Sequence, residues 1–129
     1  MKVEHIAIWT NDLERLKAFY ETYFDAQAGA IYENPVKGFL AYFLTLAEGC
    51  RLELMQPTAQ PRCGYDHGNP PTGYGHLAFS VGSREIVDAL TARLAGDGYE
   101  KLEGPRVTGD GYYESAMLDP DGNIIELTV

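Results

Sequence analysis

Two histidines and two glutamates occupy matching positions in the two halves of this 129-residue chain. His5 lies in the segment VEHIAI and His76 in YGHLAF, while Glu53 lies in EGCRLEL and Glu126 in DGNIIEL. His76 follows His5 by 71 residues and Glu126 follows Glu53 by 73, and this near-constant offset indicates a duplicated unit. If the copies fold as pseudo-symmetric halves, the two imidazoles and two carboxylates make a ligand set for a divalent metal ion.

Apolar periodicity and turn residues predict the same order of elements in each half. The predicted strands cover about residues 2–9, 27–33, 38–46, 50–56, 74–82, 99–103, 111–118 and 123–128. Asn11 and Ser83 are the predicted helix N-caps; the first helix ends near Phe24, and Gly96 and Gly98 close the second. The predicted apolar stripes are Leu13, Leu16, Phe19, Tyr20 and Tyr23, then Ile86, Val87, Leu90 and Leu94. Each half is therefore β-α-β-β-β, which gives an α+β fold class.

Alternation along the strands separates the polar ligand candidates from the aliphatic residues. Glu53 lies opposite Leu52 and Leu54, and Glu126 lies opposite Ile125 and Leu127. We expect the helices to cover the aliphatic rows. The His and Glu residues would then line the other, concave face of a curved sheet, where a cleft can form.

Length and charge bound the function further. A chain of this length fits one domain, here 1–129, with modules at about 1–56 and 74–129 and a proline-rich loop at 57–73. The net charge of −9 argues against nucleic acid and anionic membranes as partners, since both need a basic face. No apolar run approaches the ~18 residues of a spanning helix, and the cytoplasm is the expected location.

The cysteines and the third histidine are interpreted without a catalytic role. Cys50 and Cys63 are too few for a disulfide framework, so we expect two reduced thiols. His67 lies in the 57–73 loop and is expected at the surface, with closure over a substrate as the alternative. The nine tyrosines and the acidic composition favour a small, partly apolar substrate over a polyanion.

The repeated βαβββ pattern resembles the vicinal oxygen chelate superfamily, which includes glyoxalase I, methylmalonyl-CoA epimerase, extradiol dioxygenases, fosfomycin-resistance enzymes and bleomycin-binding proteins. The resemblance covers essentially the whole chain and implies paired modules forming a curved mixed sheet around a metal. It maps the ligand positions onto His5, Glu53, His76 and Glu126, a set that matches glyoxalase I. Dioxygenases and fosfomycin enzymes typically use two His and one Glu, and the epimerase usually has Gln at the second position.

The resemblance implies a cytoplasmic lactoylglutathione lyase-like metalloenzyme that uses Ni²⁺, Zn²⁺, Co²⁺, Mn²⁺ or Fe²⁺ and forms a homodimer. The metal would polarise a carbonyl and stabilise an enediolate while a glutamate moves the proton. Glu126 is the first candidate base and Glu53 the symmetric alternative. The ligand set could form within one chain or across two.

Substrate identity stays open at this point. The expected substrate is the hemithioacetal of methylglyoxal and a thiol. Trp9 stands near the position where bacterial glyoxalase I has the Arg that holds the glutathione carboxylate, and the later Gly-rich stretch offers only Arg106. Another thiol or another substrate is therefore an alternative. So are a non-catalytic drug-binding resistance protein, a dioxygenase and an epimerase, although drug-binding members generally lack the ligand residues.

Overall fold

A computed structural model describes residues 3–59 and 73–129 of the chain. The chain divides into two compact units, Met1–Cys63 and Gly64–Val129. The helices are α1 (Leu13–Phe24) and α2 (Arg84–Gly96). The strands are β1 (His5–Trp9), β2 (Gln27–Ala28), β3 (Tyr32–Asn34), β4 (Phe39–Thr45), β5 (Arg51–Pro57), β6 (Leu77–Ser80), β7 (Lys101–Val107), β8 (Tyr113–Leu118) and β9 (Ile124–Thr128).

Each unit contains one mixed sheet, in which the first and last strands are parallel neighbours. The first sheet has the order β1-β5-β4-β2, and β3 also pairs with β4; the second has the order β6-β9-β8-β7. β1 runs parallel to β5 and β6 runs parallel to β9, while the other pairs are antiparallel. The predicted α+β fold of tandem modules is therefore confirmed.

Helix α1 packs against one face of the first sheet through β4 and β5. Leu13, Leu16, Phe19 and Tyr20 are buried on this helix, as the apolar stripe predicts, and Tyr23 is half-buried. The predicted N-cap Asn11 is wrong: Asp12 caps the helix, and its carboxylate accepts a hydrogen bond from the Arg15 amide at 3.0 Å.

Helix α2 packs in the same way on β7, β8 and β9. The Ser83 hydroxyl accepts a hydrogen bond from the Ile86 amide at 3.3 Å, which confirms the predicted cap. Val87 and Leu94 are buried, but Ile86 is 47% exposed, so its assignment to the apolar stripe was wrong. Thr91 takes a buried position on that stripe instead.

The strand predictions differ from the structure at β7, which covers Lys101–Val107 where 99–103 was predicted, and between residues 27 and 34. A single strand was predicted there, but β2 and β3 are separate. Ala28 pairs with Leu44 and Tyr32 pairs with Ala41, so three residues between these pairs on one side lie opposite two on the other, as in a bulge. Gly29 begins this irregular stretch, and glycine weakens a strand interior.

The linker prediction lies mostly outside the described residues, as do Cys63 and His67. Pro57 belongs to β5, and Cys50 is a free thiol as expected. Among the helices of the described part of the chain, none is both long and apolar enough to cross a membrane.

Candidate metal centre

The first unit brings His5 and Glu53 together on neighbouring parallel strands. The register pairs His5 with Arg51 and Ala7 with Glu53, so the glutamate stands two residues beyond the partner of the histidine. Side chains two residues apart on a strand share a face. The His5 Nε2 atom lies 3.6 Å from Glu53 Oε2.

The second unit repeats this arrangement with His76 and Glu126. Leu77 pairs with Ile125 and Ala78 with Glu126, so the register extended by one residue sets His76 opposite Ile124. Glu126 is again two residues beyond that position. The His76 Nε2 atom lies 3.2 Å from Glu126 Oε2. His76 was predicted inside the strand, but it immediately precedes β6.

Both glutamates lie on the sheet face opposite the helix. Leu52 and Leu54 are 2% and 0% exposed, and Ile125 and Leu127 are both 0% exposed, which agrees with the predicted facing of the two rows. The glutamate side chains are only 14% and 20% exposed, whereas those of His5 and His76 are 39% and 48% exposed. Each unit therefore presents an accessible imidazole beside a largely covered carboxylate.

Burial raises the pKa of Glu126 above its usual value. Two positive groups, His76 and then the Arg106 guanidinium, act to lower this pKa. The carboxylates of Glu114 and Glu103 act to raise it further. Burial disfavours the charged form of a carboxyl group, and nearby negative charge acts in the same direction. The face around Glu126 would consequently favour an added positive charge.

The two pairs have the chemistry and spacing of metal half-sites. An imidazole nitrogen and a carboxylate oxygen each bind a transition metal at about 2.0–2.2 Å, so two such donors roughly 90–110° apart lie about 3.0–3.4 Å from each other. The observed separations of 3.2 and 3.6 Å are close to this range. Within residues 3–59 and 73–129, no group of three or more His, Cys, Asp or Glu side chains is placed to hold a metal, so the structure brings the four candidates together only as two pairs.

Sequence reasoning did not identify a carboxylate that contacts His5 from the adjacent position. Glu4 Oε2 accepts a hydrogen bond from His5 Nδ1 at 2.5 Å, and Glu4 Oε1 accepts from Arg51 Nε at 2.9 Å and from Arg51 Nη2. These hydrogen bonds lower the pKa of Glu4, with the His5 bond the largest cause. The signal in the sequence was the Glu-His dipeptide together with an arginine two residues before Glu53.

Arg106, the basic residue considered for substrate binding, forms an ion pair with Glu103. Its Nε donates to Glu103 Oε2 at 3.0 Å and its Nη2 donates to Glu103 Oε1 at 2.5 Å. Trp9, by contrast, forms an edge-to-face contact with Phe39, with ring centroids 6.1 Å apart. The end of β1 therefore carries an aromatic contact and no basic side chain.

Residues 2–127 match the family model described as the Glyoxalase/Bleomycin resistance protein/Dioxygenase superfamily. The chain belongs to this superfamily. The match spans both modules and all four ligand candidates, so the resemblance drawn from the sequence is confirmed at the level of the family.

Members of the superfamily with different activities resemble this chain to a similar degree. An ethylmalonyl-CoA/methylmalonyl-CoA epimerase of Cereibacter sphaeroides is 30% identical over 107 residues, covering 78% of this chain and 79% of its own. A lactoylglutathione lyase of Haemophilus influenzae is 29% identical over 129 residues, covering 98% and 90%. A solved glyoxalase family protein from Enterococcus faecalis has a TM-score of 0.80 at 27% identity, covering 99% and 97%.

Proposed function

We propose that this chain is a metal-dependent lyase or isomerase of glyoxalase I type, which transfers a proton between adjacent carbons of a small carbonyl-derived substrate. One observation carries the proposal: each module has a histidine, on or just before its first strand, and a covered glutamate on the parallel neighbour, two residues beyond the position opposite the histidine, with the two side chains 3.6 and 3.2 Å apart. A duplicated structural role would not require a carboxylate beside an imidazole in both copies.

His5, Glu53, His76 and Glu126 are the proposed ligands of one divalent ion. Two neutral imidazoles and two carboxylates carry a charge of about −2, which a divalent ion neutralises. The bound ion would supply charge stabilisation at a substrate oxygen, an effect of several kcal/mol. Nitrogen and oxygen donors in this ratio suit Ni²⁺, Co²⁺, Mn²⁺, Fe²⁺ or Zn²⁺.

Glu126 is the proposed proton carrier. One of its carboxylate oxygens would accept the proton from the substrate carbon and return it to the neighbouring carbon, and Glu53 is the symmetric alternative. A positioned base of this kind contributes about 10²–10⁴ in rate. The side chain of Glu126 is mostly shielded from water, which limits loss of the proton to solvent during transfer.

The proposed substrate is the hemithioacetal of methylglyoxal with a thiol. Support comes from the relative named lactoylglutathione lyase and from the presence of glutamate, not glutamine, at position 53. The contact between Trp9 and Phe39 and the pairing of Arg106 with Glu103 favour a thiol with a less anionic tail than glutathione.

Metal analysis followed by turnover assays tests the proposal. The protein is stripped of metal, reloaded separately with Ni²⁺, Co²⁺ and Zn²⁺, and assayed with methylglyoxal hemithioacetals of glutathione and of smaller thiols. We expect about one ion per chain and metal-dependent turnover of at least one hemithioacetal. Failure to bind any of these ions would contradict the proposal. Turnover that is the same in Glu126→Gln with metal bound would remove Glu126 from the reaction.

An acyl-CoA epimerase is the second candidate, and the Cereibacter sphaeroides relative favours it. Epimerisation also moves a proton on a carbon next to a carbonyl, so it needs the same groups. The net charge of −9 opposes it, because coenzyme A is a polyanion. Exchange of solvent deuterium into methylmalonyl-CoA, without turnover of hemithioacetals, would select the epimerase.

Assembly is a separate expectation. Homodimers are expected from the family resemblance, and light scattering of the purified protein at several concentrations measures the mass directly. A mass near 14.3 kDa, that of one chain, would contradict this expectation.

A further inference from the structure

We propose that Glu4, anchored by Arg51, is a positioning residue that fixes the tautomer of His5 and presents its Nε2 atom for metal binding. This inference rests on the proposed function, because it assigns Glu4 a role through a metal ligand. Glu4 itself lies outside the proposed ligand set, and its carboxylate contacts the far nitrogen of the imidazole.

The distances around the imidazole decide where its proton lies. Nδ1 of His5 is 2.5 Å from Glu4 Oε2, a short hydrogen bond, whereas Nε2 is 3.6 Å from Glu53 Oε2, beyond hydrogen-bond range. A neutral imidazole carries one N–H, and the carboxylate of Glu4 can only accept. The proton therefore lies on Nδ1, and the Nε2 lone pair faces Glu53. Carboxylates that bind the second nitrogen of a metal-ligating histidine set ring orientation and ligand basicity in this way.

Arg51 holds Glu4 in place through both side-chain and backbone contacts. Its Nε and Nη2 atoms donate to the other oxygen of Glu4, so each carboxylate oxygen has its own partner. The amide of Arg51 also donates to the Glu4 carbonyl at 3.0 Å. Arg51 stands opposite His5 in the strand register. The pairing of β1 with β5 therefore brings Glu4, His5 and Arg51 together.

Phe43, on the next strand, contacts both Arg51 and His5. It pairs with Glu53 in the β4–β5 register. The Arg51 guanidinium lies over the Phe43 ring at 4.4 Å from its centroid, and the His5 ring meets Phe43 edge to face at 5.3 Å. The imidazole thus has a hydrogen-bond partner at Nδ1 and a ring contact with Phe43, while its Nε2 lies 3.6 Å from Glu53 Oε2.

The second unit has no equivalent of this arrangement among its described residues. Gly75 precedes His76, and Ile124 occupies the register position that corresponds to Arg51. Glycine and isoleucine supply neither the carboxylate nor the guanidinium. The fold alone therefore does not require the Glu4–Arg51 pair, although it occurs beside one of the two histidines.

The stability effect of this pair is expected to be small, so the test uses other properties. Glu4 and Arg51 side chains are 56% and 41% exposed, and exposed ion pairs contribute little. The first measurement is the tautomer of His5 in metal-free protein above pH 8, by long-range ¹H–¹⁵N correlation spectra. The second is Ni²⁺ affinity by calorimetry, with Ni²⁺ alone as the probe.

Three variants isolate the role of Glu4. Glu4→Ala removes the acceptor, and Glu4→Gln keeps an acceptor oxygen without the charge. Glu14→Ala is the matched control: Glu14 also accepts from a cation, Lys17, and from a second side chain, Tyr42, but on the helix side of the same unit. It removes the same charge without touching His5.

We expect Nδ1–H on His5 in the unmodified protein and in Glu14→Ala, and a shift toward Nε2–H in Glu4→Ala. Ni²⁺ affinity should fall about 10–100-fold in Glu4→Ala, the range for such outer partners, with substantial recovery in Glu4→Gln. An Nε2–H tautomer in the unmodified protein, or equal Ni²⁺ affinity in Glu4→Ala, would overturn the inference. If the unmodified protein binds no Ni²⁺ or other divalent ion, the proposed function fails and the metal role of Glu4 with it, while the spectra still decide whether Glu4 sets the tautomer.

Discussion

The substitution Glu126→Gln should change stability in opposite directions in metal-free and metal-loaded protein. Glutamine has nearly the shape of glutamate, so packing on β9 is retained and the change is mainly one of charge. Burial raises the pKa of Glu126, which means that the folded metal-free protein carries an unfavourable charge at neutral pH. The carboxamide avoids this penalty, and we expect the metal-free variant to be at least as stable as the unmodified protein.

The pH dependence of this effect has a definite sign. A carboxyl group with a raised pKa in the folded state binds protons more tightly there than in the unfolded chain, whose reference value is 4.5. Stability is therefore lost as pH rises from about 4.5 through the folded-state pKa. The greater stability of metal-free Glu126→Gln should appear above this pH window. It should disappear below pH 4.5, where the Glu126 carboxyl is protonated in both the folded and the unfolded state.

Bound metal should make the unmodified protein more stable than Glu126→Gln. At a free metal concentration of about 100 times the Kd, binding stabilises the unmodified protein by about 2.7 kcal/mol. Loss of a ligand should raise the Kd by at least about 100-fold, as much as the largest outer-partner effects. The variant then gains only about 0.4 kcal/mol at the same concentration. The difference of about 2.3 kcal/mol corresponds to about 9 °C in Tm for a chain of this size.

Thermal unfolding followed by circular dichroism, with chelator and then with Ni²⁺, measures both effects on the same samples. Glu14→Gln on α1 is the control, because it removes the same charge at an exposed position and should respond to Ni²⁺ as the unmodified protein does. Equal Ni²⁺-induced rises in Tm for Glu126→Gln and the unmodified protein would show that Glu126 is not a ligand, and the reasoning from the half-sites would be refuted.

Three further outcomes are expected. His5→Ala and His76→Ala should each lower Ni²⁺ affinity by at least about 100-fold in calorimetry, since each removes one ligand; a large loss in only one would contradict the symmetric assignment. Gly104→Ala should lower the free energy of unfolding by about 2–4 kcal/mol in urea titration, because φ is +80° and the new Cβ would lie 2.6 Å from the Glu114 carbonyl oxygen. Leu54→Ala should cost about 3–5 kcal/mol in the same titration, since Leu54 is fully buried; a cost below 1 kcal/mol would place it on the wrong face.

The two His–Glu pairs could be predicted from the sequence because strand alternation and duplication act over short distances. Glu53 falls between Leu52 and Leu54, so any arrangement that buries the leucines turns the glutamate to the other face. The same holds for Glu126. Duplication then predicts that each glutamate lies near the histidine of its own module. The first strand of each module pairs with the last in both units, so the same pairing recurs.

The Glu4–Arg51 contact and the start of α1 depend on tertiary contacts that alternation does not reveal. Glu4 meets Arg51 only because β1 and β5 are parallel in one register. Asn11 and Asp12 are both good N-caps by residue type. A contact distant in sequence bears on the choice between them: the Leu13 amide donates to Gln56 Oε1 on β5 at 2.7 Å, at the residue where the helix begins.

Some features recur in both units because the sheet requires them, and others recur without such a structural reason. The aliphatic rows recur in both units, as a sheet covered by a helix demands. The side chains around the histidines differ, with Glu4 in one unit and Gly75 in the other, so the duplicated strands tolerate change at these positions. In both units, nevertheless, the glutamate lies two residues beyond the position opposite the histidine, and its side chain is at most one-fifth exposed. Burying a carboxylate costs free energy unless a hydrogen bond or a positive partner offsets it, and burial raises the pKa of Glu126 even with His76 beside it. A divalent cation bound by such an imidazole–carboxylate pair would offset this cost.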